Sequence, residues 1–195
     1  MLIIDFNQTM IANLMVQLKS DKNQAICPDL IRHLVLANIL YFKRKFHSEY
    51  GGPIVLANDD KNYWRKKIFK HYKGQRKAWR KESPYDWNQI FTLLNAMRDE
   101  IREVFPYYVL QTESCEADDI IATLIFNKPP QEKAIIISSD KDFKQLHKYA
   151  NVKQYSPAQK RMLKCENPLR FVQEHILSGD KGDGVPNFLS ADDTF

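Results

Sequence analysis

The sequence predicts an α/β domain organised around a twisted parallel sheet whose strands are buried on both faces. Leu2-Ile3-Ile4, Ile54-Val55-Leu56-Ala57 and Ala134-Ile135-Ile136-Ile137 are short, wholly apolar and mostly β-branched, as strands covered on both sides tend to be. Stretches with apolar residues at helical spacing lie between them, the β-α-β order of a parallel sheet. Each run also gives way, at once or within a few residues, to an aspartate: Asp5, Asp59 and Asp140. Open α/β sheets place their sites at such strand ends.

Taken in order, Leu2 to Asp5 reads as the first strand. Phe6 to Thr9 reads as a turn in which Asn7 or Thr9 caps a helix running from Met10 to Lys19. Ser20 to Gln24 is a polar loop. Pro28 opens a long helix whose apolar positions Leu30, Ile31, Leu34, Val35, Ile39 and Phe42 share a face. Gly51-Gly52-Pro53 ends it, and the second strand, Ile54 to Ala57, leads into Asn58-Asp59-Asp60. Ser83-Pro84 introduces a helix over Trp87 to Val104, with Ile90, Leu93, Leu94, Met97 and Ile101 as its core stripe and Pro106 as its stop. Tyr107 to Leu110 is a third strand. The acidic run from Glu113 to Asp119 opens a helix packed by Ile120, Ile121, Leu124 and Ile125, which Pro129-Pro130 terminates. After the strand at Ala134 come a helix from Phe143 to Tyr149 and a strand from Val152 to Tyr155. Pro168 to Leu177 is the last helix, followed by the glycine-rich acidic turn Gly179-Asp180-Lys181-Gly182-Asp183-Gly184.

A chain of 195 residues buries one core with at most a small appendage. No apolar run approaches the ~18 residues that a membrane helix needs. The N-terminus enters a strand without a basic leader, so no signal peptide is expected. Cys27, Cys115 and Cys165 lack metal-ligand or disulfide spacing and read as free thiols in a reducing cytoplasm.

The formal charge of +5 is unevenly spread. Residues 61–82 hold ten Lys or Arg and one acid, a local +9 that leaves −4 for the other 173 residues. Tyr63, Trp64, Phe69, Tyr72 and Trp79 are interleaved with those cations. A mildly acidic body with one basic, aromatic segment suits a polyanion held against an acidic site, the cations on phosphates and the aromatics on unpaired bases.

Parallel strands present their carboxyl ends on one edge, so Asp5, Asp59 and Asp140 should meet there, with Asp142 just beyond. Glu116, Asp118 and Asp119 at a helix start, and Asp180 and Asp183 between glycines, have access to the same edge. Crowded carboxylates without clustered His or Cys select a hard divalent cation, magnesium or manganese, over zinc. Spare acids suit a two-ion centre for phosphoryl displacement. A phosphatase-like site with Asp5 as nucleophile is disfavoured, because its usual partner aspartate two residues on is Asn7.

These stretches resemble the 5′-nucleases (flap endonucleases), and within them the ribonuclease H of large tailed phages. The residues that carry the resemblance are Ile3-Ile4-Asp5, Tyr63-Trp64-Arg65 leading to Tyr72-Lys73-Gly74 and Arg76, Glu116-Ala117-Asp118-Asp119, Ser139-Asp140-Lys141-Asp142 with Gln145-Leu146, and Gly179-Asp180 with Asp183. The resemblance implies a PIN-like fold, with helices on both sides of the sheet and a basic helical arch over about residues 61–95. It implies that Asp5, Asp59, Glu116, Asp118 and Asp140 serve a first metal. Asp142 and Asp183 would serve a second, with Asp180 and Asp119 in outer roles. The single aspartate of the family's second strand aligns with Asp59 or Asp60, and one gap placement puts Asn58 there; Asp59 follows the strand with the shortest link to Tyr63. Lys73 and Arg76 would grip the scissile phosphate, Tyr72 would stack on a terminal base, and Arg65, Lys66, Lys77, Arg80 and Lys81 would bind the backbone.

The implied activity is a magnesium-dependent 5′→3′ exonuclease and flap endonuclease with ribonuclease H activity, with manganese as a substitute ion. Its substrates would be DNA and RNA–DNA duplexes with a free 5′ end, and its task RNA-primer removal in phage replication. The enzyme would be a monomer in the host cytoplasm, with a replication clamp or single-strand-binding protein as family-level partners. Residues 1–186 would form the catalytic domain. Residues 187–195 would begin a truncated C-terminal duplex-binding region, which leaves an inactive nucleic-acid-binding fragment as one alternative and a single-strand PIN ribonuclease as another.

Overall fold

A computed structural model describes residues 1–20 and 25–194, the side chain of Lys77 excepted. The loop expected at Ser20 to Gln24 falls mostly outside the described residues, as does Phe195. In chain order the first eight segments are β1 (Leu2–Asp5), α1 (Phe6–Ser20), α2 (Pro28–Tyr50), β2 (Ile54–Asn58), α3 (Arg65–Ile68), α4 (Gly74–Glu82), α5 (Trp87–Val104) and β3 (Tyr108–Gln111). They are followed by α6 (Ala117–Asn127), β4 (Ala134–Ile137), a 3₁₀ segment (Lys141–Lys148), β5 (Val152–Ser156), β6 (Arg161–Leu163) and α7 (Pro168–Ser178).

The strands form one sheet in the order β3-β2-β1-β4-β5-β6. All neighbours are parallel except β5 and β6. Period-two alternation sends successive side chains to opposite faces. Leu2, Ile4, Leu56, Ile135 and Ile137 pack under α1, α2 and α5. Ile3, Val55, Ala57, Ile136 and Val152 pack under α6 and the 3₁₀ segment. Helices therefore cover both faces, as expected. Ile136 is fully buried at the centre of β4, and Ile136→Ala removes methylenes that no neighbour can replace. Urea unfolding of that variant is expected to show a loss of about 2–5 kcal/mol.

Several local expectations need correction. No turn separates β1 from α1, because the Asp5 carboxylate accepts from the Gln8 amide at 3.4 Å and caps the helix directly. Thr9 is buried and donates instead to the carbonyl of Ile137 at 3.3 Å. The segment after β4 is a 3₁₀ helix, capped by Asp140 accepting from the Asp142 amide. The hairpin strand β6, an antiparallel edge on β5, has no strong sequence signal in Arg161-Met162-Leu163. The first turns of α5 do not stand clear as an arch: Ile90 and Leu94 lie in the main core.

The strand order has one consequence for function. From β1 the chain first builds outward through β2 and β3, then returns to place β4 and β5 on the other side. The reversal falls between β1 and β4, and in open α/β sheets the crevice beyond such a switch point is the binding site. Asp5 ends one of these strands and Asp140 follows the other.

Candidate metal centre and nucleic-acid interface

An inner group of acids forms at that crevice. Asp5, only 4% exposed, ends β1, where its second oxygen accepts from the Ser138 hydroxyl at 2.9 Å. Asp118 stands in the first turn of α6, Asp59 follows β2, and Asp140 caps the 3₁₀ segment. Burial, then repulsion from Asp59 and Asp140, pushes the Asp5 carboxyl up to about 7. Burial, then Asp5 and Asp140, pushes Asp118 up to about 9, with Lys73 opposing the rise. Four acids from four separate chain segments thus repel one another in a poorly hydrated crevice, an arrangement that a bound cation would relieve.

The three candidates at the second strand make different contacts. Asp59 faces the acids and accepts from the Ala117 amide at 2.8 Å. Asp60 instead accepts from the Ser114 amide at 2.8 Å and secures the turn before α6. Asn58 is buried, its amide nitrogen donating to the carbonyls of Leu56 and Leu110.

A second group lies beside the first. Asp142, pushed up to about 6 by burial and then by Asp140, is linked electrostatically to Asp180 and Asp183. The Asp142 Oδ1 atom is buried without a hydrogen-bond donor. Gly179, at φ +71°, turns the chain after α7 so tightly that a Cβ there would lie 2.4 Å from Pro186, which swings Asp180 back under the helix end. The Asp180 carboxyl is held low: burial would raise it, but Lys141 at 3.1 Å and the amides of the turn outweigh that. His175 completes this group. Its Nε2 lies 3.1 Å from Asp142 Oδ1 and 3.3 Å from Asp180 Oδ2. No sequence signal marks it, since a lone His near the end of an amphipathic helix reads as surface.

The remaining expected ligands are already occupied by side chains. Glu116 is 1% exposed and accepts from Lys73, Arg65 and the Tyr72 hydroxyl, so both its oxygens are taken. Asp119 makes a two-pronged pair with Arg65 at 2.8 Å on both arms and also accepts from the Trp64 indole. Burial would raise the Asp119 carboxyl, but Arg65 holds it low. Asp183 pairs with Arg76 at 2.7 Å. In this conformation Glu116 and Asp119 anchor the basic segment to α6.

The same contacts revise the nucleic-acid side. Tyr72 is 6% exposed and bound to Glu116, so it offers no open face for base stacking. Arg65 is committed to acids rather than free for phosphate. Lys73 adopts a left-handed backbone (φ 54°), and its amide donates to the Asp183 carbonyl at 2.7 Å. Burial alone would lower the Lys73 ammonium, but Asp183 and Glu116 raise it. Arg80 stacks over Phe91 of α5, while Lys66, at 4.8 Å over the Tyr63 ring, and Lys81 are exposed. The Lys77 side chain lies outside the described residues. Trp79 is 54% exposed and Trp64 40%, leaving these two as the open aromatic surfaces of the segment.

The model of the 5′-3′ exonuclease N-terminal, resolvase-like domain matches residues 9–178, most of the chain. The chain belongs to this family. Its relatives include the ribonuclease H of Enterobacteria phage T4, 37% identical over 188 residues that cover 94% of this chain and 61% of that protein. The flap endonuclease Xni of Shewanella denitrificans is 32% identical over 142 residues, covering 68% of this chain and 52% of that one. The chain thus spans about three fifths of the length of the phage T4 relative. Among solved structures, the phage T5 D15 protein co-crystallised with metal ions superposes with a TM-score of 0.73 at 15% identity, covering 97% of this chain and 70% of that one. The T5 D15 flap endonuclease in a pseudo-enzyme–product complex with DNA and metal ions gives a TM-score of 0.72 at 17% identity, covering 97% and 70%. The expected PIN-like α/β fold is the observed one. No helix among the described residues is long and apolar enough to cross a membrane.

Proposed function

We propose that this 5′-3′ exonuclease-family domain is the catalytic core of a magnesium-dependent 5′→3′ exonuclease and flap endonuclease with ribonuclease H activity. Its role would be to remove RNA primers during phage DNA replication, as a monomer in the host cytoplasm, where a clamp or single-strand-binding protein would be its neighbour. The observation that carries this reading is the meeting of Asp5, Asp59, Asp118 and Asp140 at the switch-point crevice, with the basic segment anchored at its rim.

Asp5, Asp59, Asp118 and Asp140 would hold one ion; Asp142, Asp180 and Asp183 would form the neighbourhood of a second. The raised carboxyls of Asp5 and Asp118 and the undonated Asp142 oxygen fit such occupants. Bound there, magnesium, or manganese in its place, supplies an acidified water and charge stabilisation at the leaving oxygen. The protein's own part is positional. Lys73 and Arg76 pair with Glu116 and Asp183, from which a scissile phosphate would draw them and let them stabilise its developing charge. Residues 61–86 would form the arch that a free 5′ end enters, with Trp64 and Trp79 available to unpaired bases. Displacement by water would leave 5′-phosphate and 3′-hydroxyl ends.

A labelled 5′-flap duplex, a 5′-RNA primer hybrid and an unstructured RNA, each with and without magnesium, test the proposal. Short 5′-phosphorylated products from the first two substrates, dependent on magnesium, are expected. Preferential cleavage of the unstructured RNA would indicate a single-strand PIN ribonuclease instead. Flap binding in EDTA with no products after magnesium addition would indicate a binding fragment.

A further inference from the structure

We propose that His175 is a nitrogen ligand of the second ion and biases that position away from magnesium, toward manganese and softer divalent ions. The inference rests on the two-ion reading above and adds a residue to it. His175 Nε2 and one carboxylate oxygen each of Asp142 and Asp180 all lie within 4.8 Å of one another. That spacing suits three donors around one cation. Two further observations separate this group from an ordinary surface ion pair. Asp142 Oδ1, the oxygen nearest the imidazole, is buried and lacks a hydrogen-bond donor. The ring is also held in place, stacked on Phe171 with centroids 5.6 Å apart and planes 16° from parallel.

The local chain geometry explains why the three meet. His175 lies in the last turn of α7, and its carbonyl accepts from the Gly179 amide at 3.0 Å, closing the helix end. The positive φ of Gly179 then reverses the chain so that Asp180 returns beneath the residue that preceded it by five positions. Asp142 arrives from the first turn of the 3₁₀ segment. An ion held through Nε2 would leave the ring proton on Nδ1. Lys141, 49% exposed, is on a mobile enough stem to leave Asp180 as the ion enters.

Chemistry then sets the preference. An all-oxygen set suits magnesium, whereas one imidazole among carboxylates favours ions further along the divalent series. The two positions would differ, the crevice of Asp5, Asp59, Asp118 and Asp140 keeping only oxygens.

Manganese bound to the whole chain reports this without any turnover. In wild type, electron spin-echo modulation of bound manganese is expected to show coupling to a directly ligated ¹⁴N, and titration to show two bound ions. His175→Ala is expected to lose the ¹⁴N coupling and to weaken one manganese site about tenfold or more, with magnesium affinity changed less than twofold. His175→Gln, which keeps a polar side chain on the helix end, should also lose the ¹⁴N coupling. Two bound manganese ions with no ¹⁴N coupling in wild type, or coupling that survives both substitutions, overturns the assignment of His175 and leaves the two-ion reading intact. Absence of any specific manganese binding overturns both.

Discussion

Asp140→Asn is expected to lower magnesium-dependent cleavage of a 5′-flap duplex by about a thousandfold or more, roughly 4 kcal/mol of barrier. Affinity for the same duplex in EDTA should stay within about twofold. Asp140 earns this prediction by position. It follows β4 at the switch point, repels Asp5 and Asp118 on one side and raises Asp142 on the other, so it serves both acid groups. Asn keeps an oxygen to accept from the Asp142 amide, which preserves the start of the 3₁₀ segment. The variant therefore removes charge and little else. Undiminished cleavage by folded Asp140→Asn protein would end the metal-centre assignment.

Magnesium is expected to stabilise the fold, and more at pH 8 than at pH 5. The sign follows from Asp118 at about 9 and Asp5 at about 7 in the folded chain, against an ordinary carboxyl value of 3.8. A raised folded value means that the native state binds these protons more tightly than the unfolded chain. Their stabilising contribution is complete below about pH 4 and is lost as pH rises toward about 9. Metal-free protein should therefore lose melting temperature over that window. Magnesium displaces the protons and reverses the loss. At a hundredfold excess over Kd the gain is about 2.7 kcal/mol, or about 5–10 °C for a chain of this size. Asp118→Asn should raise the metal-free melting temperature at pH 8 and blunt the response to magnesium. Scanning calorimetry at the two pH values decides it: no magnesium effect at pH 8, or a lower metal-free melting point for the variant, contradicts the crowded-acid account.

The strand-end aspartates were legible because their signal is local. An apolar run followed by an acid states both the strand and the edge on which its side chain emerges. The helix Trp87 to Val104 was legible to the residue, since its stripe is periodic and Pro84 and Pro106 bracket it. What stayed hidden depends on side chains meeting across the fold. Nothing in Tyr72-Lys73 says that its hydroxyl and ammonium are spent on Glu116, because that requires a left-handed turn at Lys73 and the register of α6 below it. His175 was hidden for the same reason, its partners lying 33 residues earlier and five later. The edge strand β6 escaped because three residues on a solvated hairpin carry no pattern long enough to read.

The absence of a loop between β1 and α1 bears on how Asp5 would meet an ion. Asp5 is paired in register with Ala57 on one side, while Phe6, its immediate successor, is already helical. Its backbone is clamped by sheet and helix at once, so under the proposed metal reading Asp5 would be the fixed wall of the site, and adjustment to ions of different radius would fall to the opposite wall, where Asp118 and Asp140 open their own helical segments.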